Sequence, residues 1–227
     1  MHSDVEIAAQ LAKAWRFFYN RGFVDGFGHI SARLNDAERM LISRHNLGKQ
    51  ASPVDFVVVD LEGRQIGTAA PLPGELPIHL EIYKLRPDVA SIAHFHCLYA
   101  TSFSMTKQAL KPTYFLASIF REGIPVHLDS RLINNQERGK ALAATLGAHR
   151  AALLKAHGVV VTGRDVQEMV AAAFILEDNA RRTWVSATLG KVEALTDEVM
   201  AEVEAEILKS RGPFQRIWGL CEDESVE

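Results

Sequence analysis

A chain of 227 residues, 48% apolar and 23% charged, is long enough to bury a generous core and has the make-up of an ordinary globular protein. Its formal net charge of −3, with no basic run and no acidic tail, argues against nucleic acid or an anionic membrane as partner. No run reaches the roughly 18 apolar residues of a membrane span, the opening Met1–Glu6 does not read as a signal peptide, and Cys97 and Cys221 offer no disulfide framework. A soluble, cytoplasmic protein with one domain over residues 1–227 is expected.

Val5, Ala8, Leu11, Ala12, Trp15 and Phe18 recur at helical spacing and predict a helix from Asp4 to Tyr19. A glycine-rich turn over residues 22–28 follows, then short strands at His29–Leu34, Arg39–Ser43 and Phe56–Asp60. Pro71-Leu72-Pro73-Gly74 stops the chain, and a second helix is expected over Glu75–Leu85, ended by Arg86-Pro87 because the residue before proline disfavours helix. The apolar run Val89–Ala93 reads as a buried strand leading into His94-Phe95-His96. Beyond it come a short helix at Tyr99–Met105, a strand at Ile124–His127, a helix at Gln136–Leu146 and a strand pair at Ala151–Lys155 and Val159–Thr162. Asp165 with Glu168 three residues on has the form of a capping box opening a helix to about Leu189, with Gly190 at its end. A last helix is expected at Asp197–Ser210. The tail from about residue 211 to 227, with Phe214, Ile217, Trp218 and Leu220, is too apolar to stay in solvent and is expected to close over a site, Trp218 as a lid, or against a neighbouring subunit. Strands interleaved with helices, several of them consecutive, imply a mixed sheet covered on both faces.

The chemistry concentrates on histidines. Residues two apart on a strand point the same way, so His94 and His96 present both imidazoles from one face. His157, before Gly158 at the end of another apolar run, can add a third. Three neutral imidazoles with an open fourth position are the pattern of a catalytic metal site. Glu75 opens a helix, where the dipole favours an ionised carboxylate; it is a candidate fourth ligand or general base.

In order along the chain stand Gly28-His29-Ile30-Ser31-Ala32-Arg33, Pro73-Gly74-Glu75, Arg86-Pro87-Asp88-Val89, His94-Phe95-His96, His157-Gly158 and Thr162-Gly163. This series resembles the class II aldolase/adducin family of metal-dependent lyases over roughly Glu6 to Leu189. The resemblance implies a three-layer α/β/α fold around a central mixed, largely antiparallel sheet. It also implies a divalent metal on His94, His96 and His157, zinc in most members and manganese or cobalt in some; imidazole suits iron as well. It further implies sites between the subunits of a cyclic homotetramer, and Tyr114 falls where sugar-phosphate aldolases of the family place a proton-donating tyrosine.

The departures narrow the substrate. Sugar-phosphate members carry an asparagine where this chain has His29, a Thr-Pro-(Ser/Thr)-Gly loop where it has Ile42-Ser43-Arg44-His45, and a serine pair where it has Pro73-Gly74. Those lost groups cradle a phosphate. Their replacements, His29 and Arg44 with His45 nearby, suit a carboxylate, which arginine's fork matches in two parallel hydrogen bonds; Ser31 and Ser43 are further candidate substrate contacts. Gly-His-Ile-Ser with a Ser-Arg loop is similar to the branch that decarboxylates aromatic hydroxy-acids, among them a dihydroxyphthalate and a hydroxypyridine dicarboxylate. A metal-dependent decarboxylase acting on such a small-molecule carboxylate is the expectation. An aldolase for an unphosphorylated hydroxy-keto acid or aldehyde comes second, ahead of a sugar-phosphate aldolase or epimerase and of a non-catalytic adducin-like module. His79, His127 and His149 are expected to be structural or surface residues.

Overall fold

The computed structural model describes residues 3–67 and 69–225; the extreme ends of the expected 1–227 span lie outside the described residues. Helix α1 (Asp4–Asn20) starts where Ser3 caps it: the Ser3 hydroxyl accepts from the Glu6 amide and the Glu6 carboxylate accepts from the Ser3 amide. The strands are β1 (His29–Arg33), β2 (Arg39–Ser43), β3 (Phe56–Asp60), β4 (Gln65–Ile66), β5 (Ser91–Phe95), β6 (Val126–His127), β7 (Ala151–Leu154) and β8 (Gly158–Gly163). They form one eight-stranded sheet in the order β4-β3-β2-β1-β5-β8-β7-β6. Every pair is antiparallel except β6 with β7, so the sheet is mixed and largely antiparallel, as expected.

Helices cover both faces. On one lie α1, α3 (Leu98–Ser104), α5 (Val166–Leu189), α6 (Asp197–Ser210) and α7 (Gly212–Glu224), packed on Ile30, Ala93, Phe95, Val159 and Val161. On the other lie α2 (Leu76–Leu85) and α4 (Gln136–Leu146), packed on Met40, Ile42, Val59, Ile92, Leu154 and Val160. The period-2 alternation of each strand sorts its side chains between these two cores. By that alternation His29 and Ser31 on β1 and His94 on β5 share the α2 face, and the register sets His29 directly opposite His94.

Some expected elements change. The strand expected at Ile124–His127 shrinks to Val126–His127, because Pro125 has no amide to give the ladder, although its carbonyl accepts from Leu153. The capping box at α5 is half made. Asp165 accepts from the Glu168 amide, but the Glu168 carboxylate is taken by Arg150, Arg164 and Arg211. The tail is helix α7, whose Phe214, Ile217, Trp218 and Cys221 are buried in the α1–α5 core. Trp218 therefore packs in the core and is no lid. No helix among the described residues is long and apolar enough to cross a membrane.

Candidate metal centre and its cavity

Four elements bring the expected ligands together. His94 is held near the end of β5, fully buried, and its Nδ1 lies 3.0 Å from the Val159 carbonyl. A carbonyl only accepts, so Nδ1 carries a proton, and the tautomer this selects for a neutral ring leaves Nε2 as the nitrogen that can bind a metal. His96 follows just past the strand. His157 sits in the three-residue turn joining β7 to β8, where Ala156 takes a left-handed φ of 52°. Gly158 is dictated by packing: a Cβ there would lie 2.6 Å from both the His96 ring and the Phe95 carbonyl. Glu75 stands at the N-terminal cap of α2, after the Pro73-Gly74 turn.

The spacing of the donor atoms tests whether a cation fits. Four ligands at roughly 2.0–2.1 Å in a tetrahedron stand about 3.3 Å apart. Here the Nε2 atoms of His94 and His96 are 3.2 Å apart, and Glu75 Oε2 lies 3.4 Å from His157 Nε2 and 3.6 Å from His94 Nε2. The donor atoms of His94, His96 and His157 all lie within 4.8 Å of one another, as do those of His29, Glu75 and His94. The residues present fit a divalent metal.

The local electrostatics agree. Burial, with His94 and His157 alongside, lowers the His96 imidazole to about 4, so it is neutral and able to ligate. Burial alone would raise the Glu75 carboxyl, but His157, His94 and the Ile133 amide, 2.7 Å from Oε1, outweigh it and hold the group far below the usual carboxylate range.

A cavity of about 280 Å³ opens beside this centre, lined by His29, Glu75 and His96 and by the apolar Trp15, Phe27, Leu47 and Leu132. His45, Asn46 and Asn134 supply the remaining polar groups, and the described residues that line it include no Lys or Arg. Trp15 is fixed by donation from its indole N–H to the Gly48 carbonyl.

Four expected site residues are placed elsewhere. Arg44 donates from Nε to Asp55 at 2.8 Å, and its neighbours His45 and Asn46 line the cavity instead. Ser43 is fully buried, its hydroxyl accepting from the Ile30 amide at 3.1 Å. Ser31 is also fully buried, tied to His79 and Tyr83. Tyr114 lies outside the cavity beside α5, with the Arg182 guanidinium 4.8 Å from its ring centre; burial and then the Asp178 carboxylate push its phenol well above the usual range. His127 and His149 stay outside the cavity, as expected of structural or surface residues.

His79 is the residue that sequence reasoning undervalued. It is completely buried, and its Nε2 lies 2.7 Å from His29 Nδ1. Burial above all, with His94 nearby, lowers His79 to about 3 and also takes His29 well below the ordinary histidine value. The available signal was its place on the apolar face of the helix that Glu75 opens.

Comparison with known proteins matches residues 9–184 to the class II aldolase and adducin N-terminal domain. The chain is 30% identical over 199 residues to a 3,4-dihydroxyphthalate decarboxylase from Terrabacter sp. (strain DBF63), covering 81% of this chain and 82% of that one. It is also 30% identical over 217 residues to a 3-oxo-tetronate 4-phosphate decarboxylase from Haemophilus influenzae, covering 88% and 95%. Among solved structures, an aldolase II superfamily protein from Pseudomonas syringae superposes with a TM-score of 0.86 at 23% identity, over 99% of this chain and 94% of that one.

Proposed function

Since the chain belongs to the class II aldolase and adducin family, we propose that it is a metal-dependent lyase that decarboxylates a hydroxylated aromatic carboxylate, of the dihydroxyphthalate or hydroxypyridine-dicarboxylate kind. One observation carries this choice among the family's chemistries. The cavity beside the histidines is walled by Trp15, Phe27, Leu47 and Leu132 and, among its described lining residues, holds no Lys or Arg for a phosphate. A planar ring buries well against such walls, whereas a phosphate dianion would be left poorly paired. The 3,4-dihydroxyphthalate decarboxylase relative supports the same substrate class.

His94, His96 and His157 would hold the divalent cation, with Glu75 as fourth ligand or as the base beside it. Zinc is the first choice, with manganese, cobalt and iron as alternatives, since imidazole suits all four. A bound cation supplies Lewis-acid stabilisation of the negative charge that develops on an oxygen next to the breaking bond. The protein's own groups do the rest. His29, at the cavity wall, donates to the substrate and sets the ring's orientation. The apolar walls exclude water, which strengthens every charge interaction inside. Once the hydroxyl is deprotonated, the ring carbon that bears the carboxylate takes up a proton and becomes tetrahedral, with ketone character on the neighbouring oxygen. As carbon dioxide leaves that carbon, the bonding pair flows toward this oxygen and restores the aromatic ring, and the product hydroxyl regains its proton from water. Glu75, pinned by the Ile133 amide and held firmly ionised, is a weak base on its own; it would take the substrate's hydroxyl proton once a bound cation makes that proton acidic, and pass it to the ring carbon. Tyr114 lies outside this cavity and can take part only in the site of a neighbouring subunit, within the homotetramer that the reading includes. A cytoplasmic place in aromatic-compound breakdown follows from such a substrate.

The test is carbon dioxide release from a panel of ortho-hydroxylated aromatic dicarboxylates, with metal-free protein reloaded in turn with zinc, manganese or cobalt. Release that needs metal and disappears in His96→Ala is the expected result. No release from any member of the panel, with metal demonstrably bound, would overturn decarboxylation and favour aldol cleavage of an unphosphorylated hydroxy-acid.

A further inference from the structure

Behind His29 runs a continuous buried chain of hydrogen bonds that the proposed chemistry does not use. Tyr83 Oη lies 2.8 Å from Ser31 Oγ, Ser31 Oγ lies 2.6 Å from His79 Nδ1, and His79 Nε2 lies 2.7 Å from His29 Nδ1. All four residues are buried, none more than 5% exposed. Each contact has room for one proton only, so the chain has two consistent polarities. In one, protons point from Tyr83 toward His29, and His29 keeps its own proton on Nε2, the nitrogen left for the cavity. In the other, His29 Nδ1 donates into the chain, and its Nε2 offers a lone pair.

The far end decides between them. Among the described residues, Ser31 is the only hydrogen-bond partner of the Tyr83 hydroxyl. In the first polarity that hydroxyl donates to Ser31 and every donor in the chain has an acceptor. In the second, the serine proton occupies the Ser31–Tyr83 contact and the phenol proton is buried with nothing to receive it, a penalty that the first polarity avoids. We propose that Tyr83, Ser31 and His79 are positioning residues that lock His29 as a fixed Nε2–H donor facing the cavity. Two consequences follow. Of the two groups of donor atoms spaced to share an ion, the one containing His29 is removed, because a protonated Nε2 cannot ligate, and the metal falls to His94, His96 and His157. The same proton gives the cavity a donor of set direction for a substrate carboxylate, which rests on the decarboxylase reading above. A neutral imidazole that would otherwise be free to choose its tautomer is thus committed before substrate arrives, as preorganisation requires.

Long-range proton–nitrogen NMR of the full-length, 15N-histidine-labelled protein reads each ring nitrogen directly. Spectra are taken after metal removal and after reloading with zinc, with His29 assigned from the resonances lost in His29→Gln. The expected result is a protonated Nε2 and a bare Nδ1 on His29 in both spectra, while zinc shifts His94, His96 and His157. A bare Nε2 on His29 in the metal-free protein, or loss of its proton when zinc binds, would overturn the proposal. If zinc moves none of the three histidines, the metal reading fails while the His29 tautomer still stands or falls on the metal-free spectrum. Ser31→Ala cuts the chain at its middle and should convert His29 to a mixture of tautomers. The accompanying loss in kcat/KM is expected at roughly 10- to 100-fold, as when a partner that orients an imidazole is removed, with zinc content unchanged. A single unaltered His29 tautomer in Ser31→Ala would also overturn the proposal, since a merely structural serine leaves the ring proton where it was.

Discussion

At the scale of single residues, the least conspicuous member of the centre makes the sharpest prediction. Gly158 carries no chemistry, yet a methyl group there would lie 2.6 Å from the His96 ring and 2.6 Å from the Phe95 carbonyl, far inside contact distance. One of these obstacles is backbone, so the imidazole must give way. Its neighbour His94 is locked by the Val159 carbonyl and cannot follow. Gly158→Ala should therefore pull His96 out of the 3.2 Å spacing with His94 and weaken zinc binding by roughly 10- to 100-fold. The accompanying loss of stability should be about 1–3 kcal/mol, the range for overpacking a filled site. Zinc titration against a competing chelator measures the first, and denaturant unfolding of the metal-free variant measures the second. Unchanged zinc affinity would mean that the His96 ring is not held where the packing places it.

At the scale of elements, α7 tests what the C-terminal segment is for. Phe214 is completely buried, and Trp218 and Cys221 lie in the same core between α1 and α5. The segment is further tied down at its far end, where Arg16 donates to the Ser225 carbonyl and Arg21 pairs with Glu224. A helix so anchored holds the core together from outside the metal centre. Phe214→Ala should cost about 3–5 kcal/mol of stability, as for a large side chain removed from a closed core. Zinc affinity of the folded fraction should stay unchanged. Loss of zinc binding without loss of stability would restore a direct role at the site.

The same helix marks the limit of what could be read in advance. Its apolar residues foretold burial, but periodicity does not say against what. The clustering of His94, His96 and His157 was legible because strand alternation and a histidine–glycine turn are local patterns. Helices such as Gln136–Leu146 and Asp197–Ser210 were legible for the same reason. Arg44 was misplaced because its partner, Asp55, lies eleven residues on, where sequence shows only another acid before a strand. His79 was passed over because a histidine on an apolar helix face looks like any filler until β1 brings His29 and Ser31 against it. Long-range register, which spacing does not reveal, decided each of these cases.

At the scale of the whole molecule, one flank is not finished. Leu98 at the start of α3 is 69% exposed and Trp184 on α5 is 55% exposed, and the Trp184 ring lies 5.7 Å from that of Tyr99. Phe115, 59% exposed, adjoins Tyr114, whose own ring is covered by Arg182 of α5, the helix that carries Trp184. Exposed Leu98, Trp184 and Phe115, with Arg182 on the same helix as Trp184, have the composition of a surface that another chain covers. The occupant most consistent with the family is a second copy, and the tyrosine outside its own cavity then lies on the edge that a neighbour meets. Replacing Trp184 by glutamate puts a charge in the middle of that contact, where burial without a partner is costly, and leaves the metal centre untouched. Light scattering should give four times the 25.1 kDa chain mass for the parent protein and a single chain for Trp184→Glu. Decarboxylation should fall with the mass, while zinc content of the separated chains stays at the parent level. A variant that keeps its full mass would place the interface on another face, and a monomer that keeps full activity would show that each chain completes its own site.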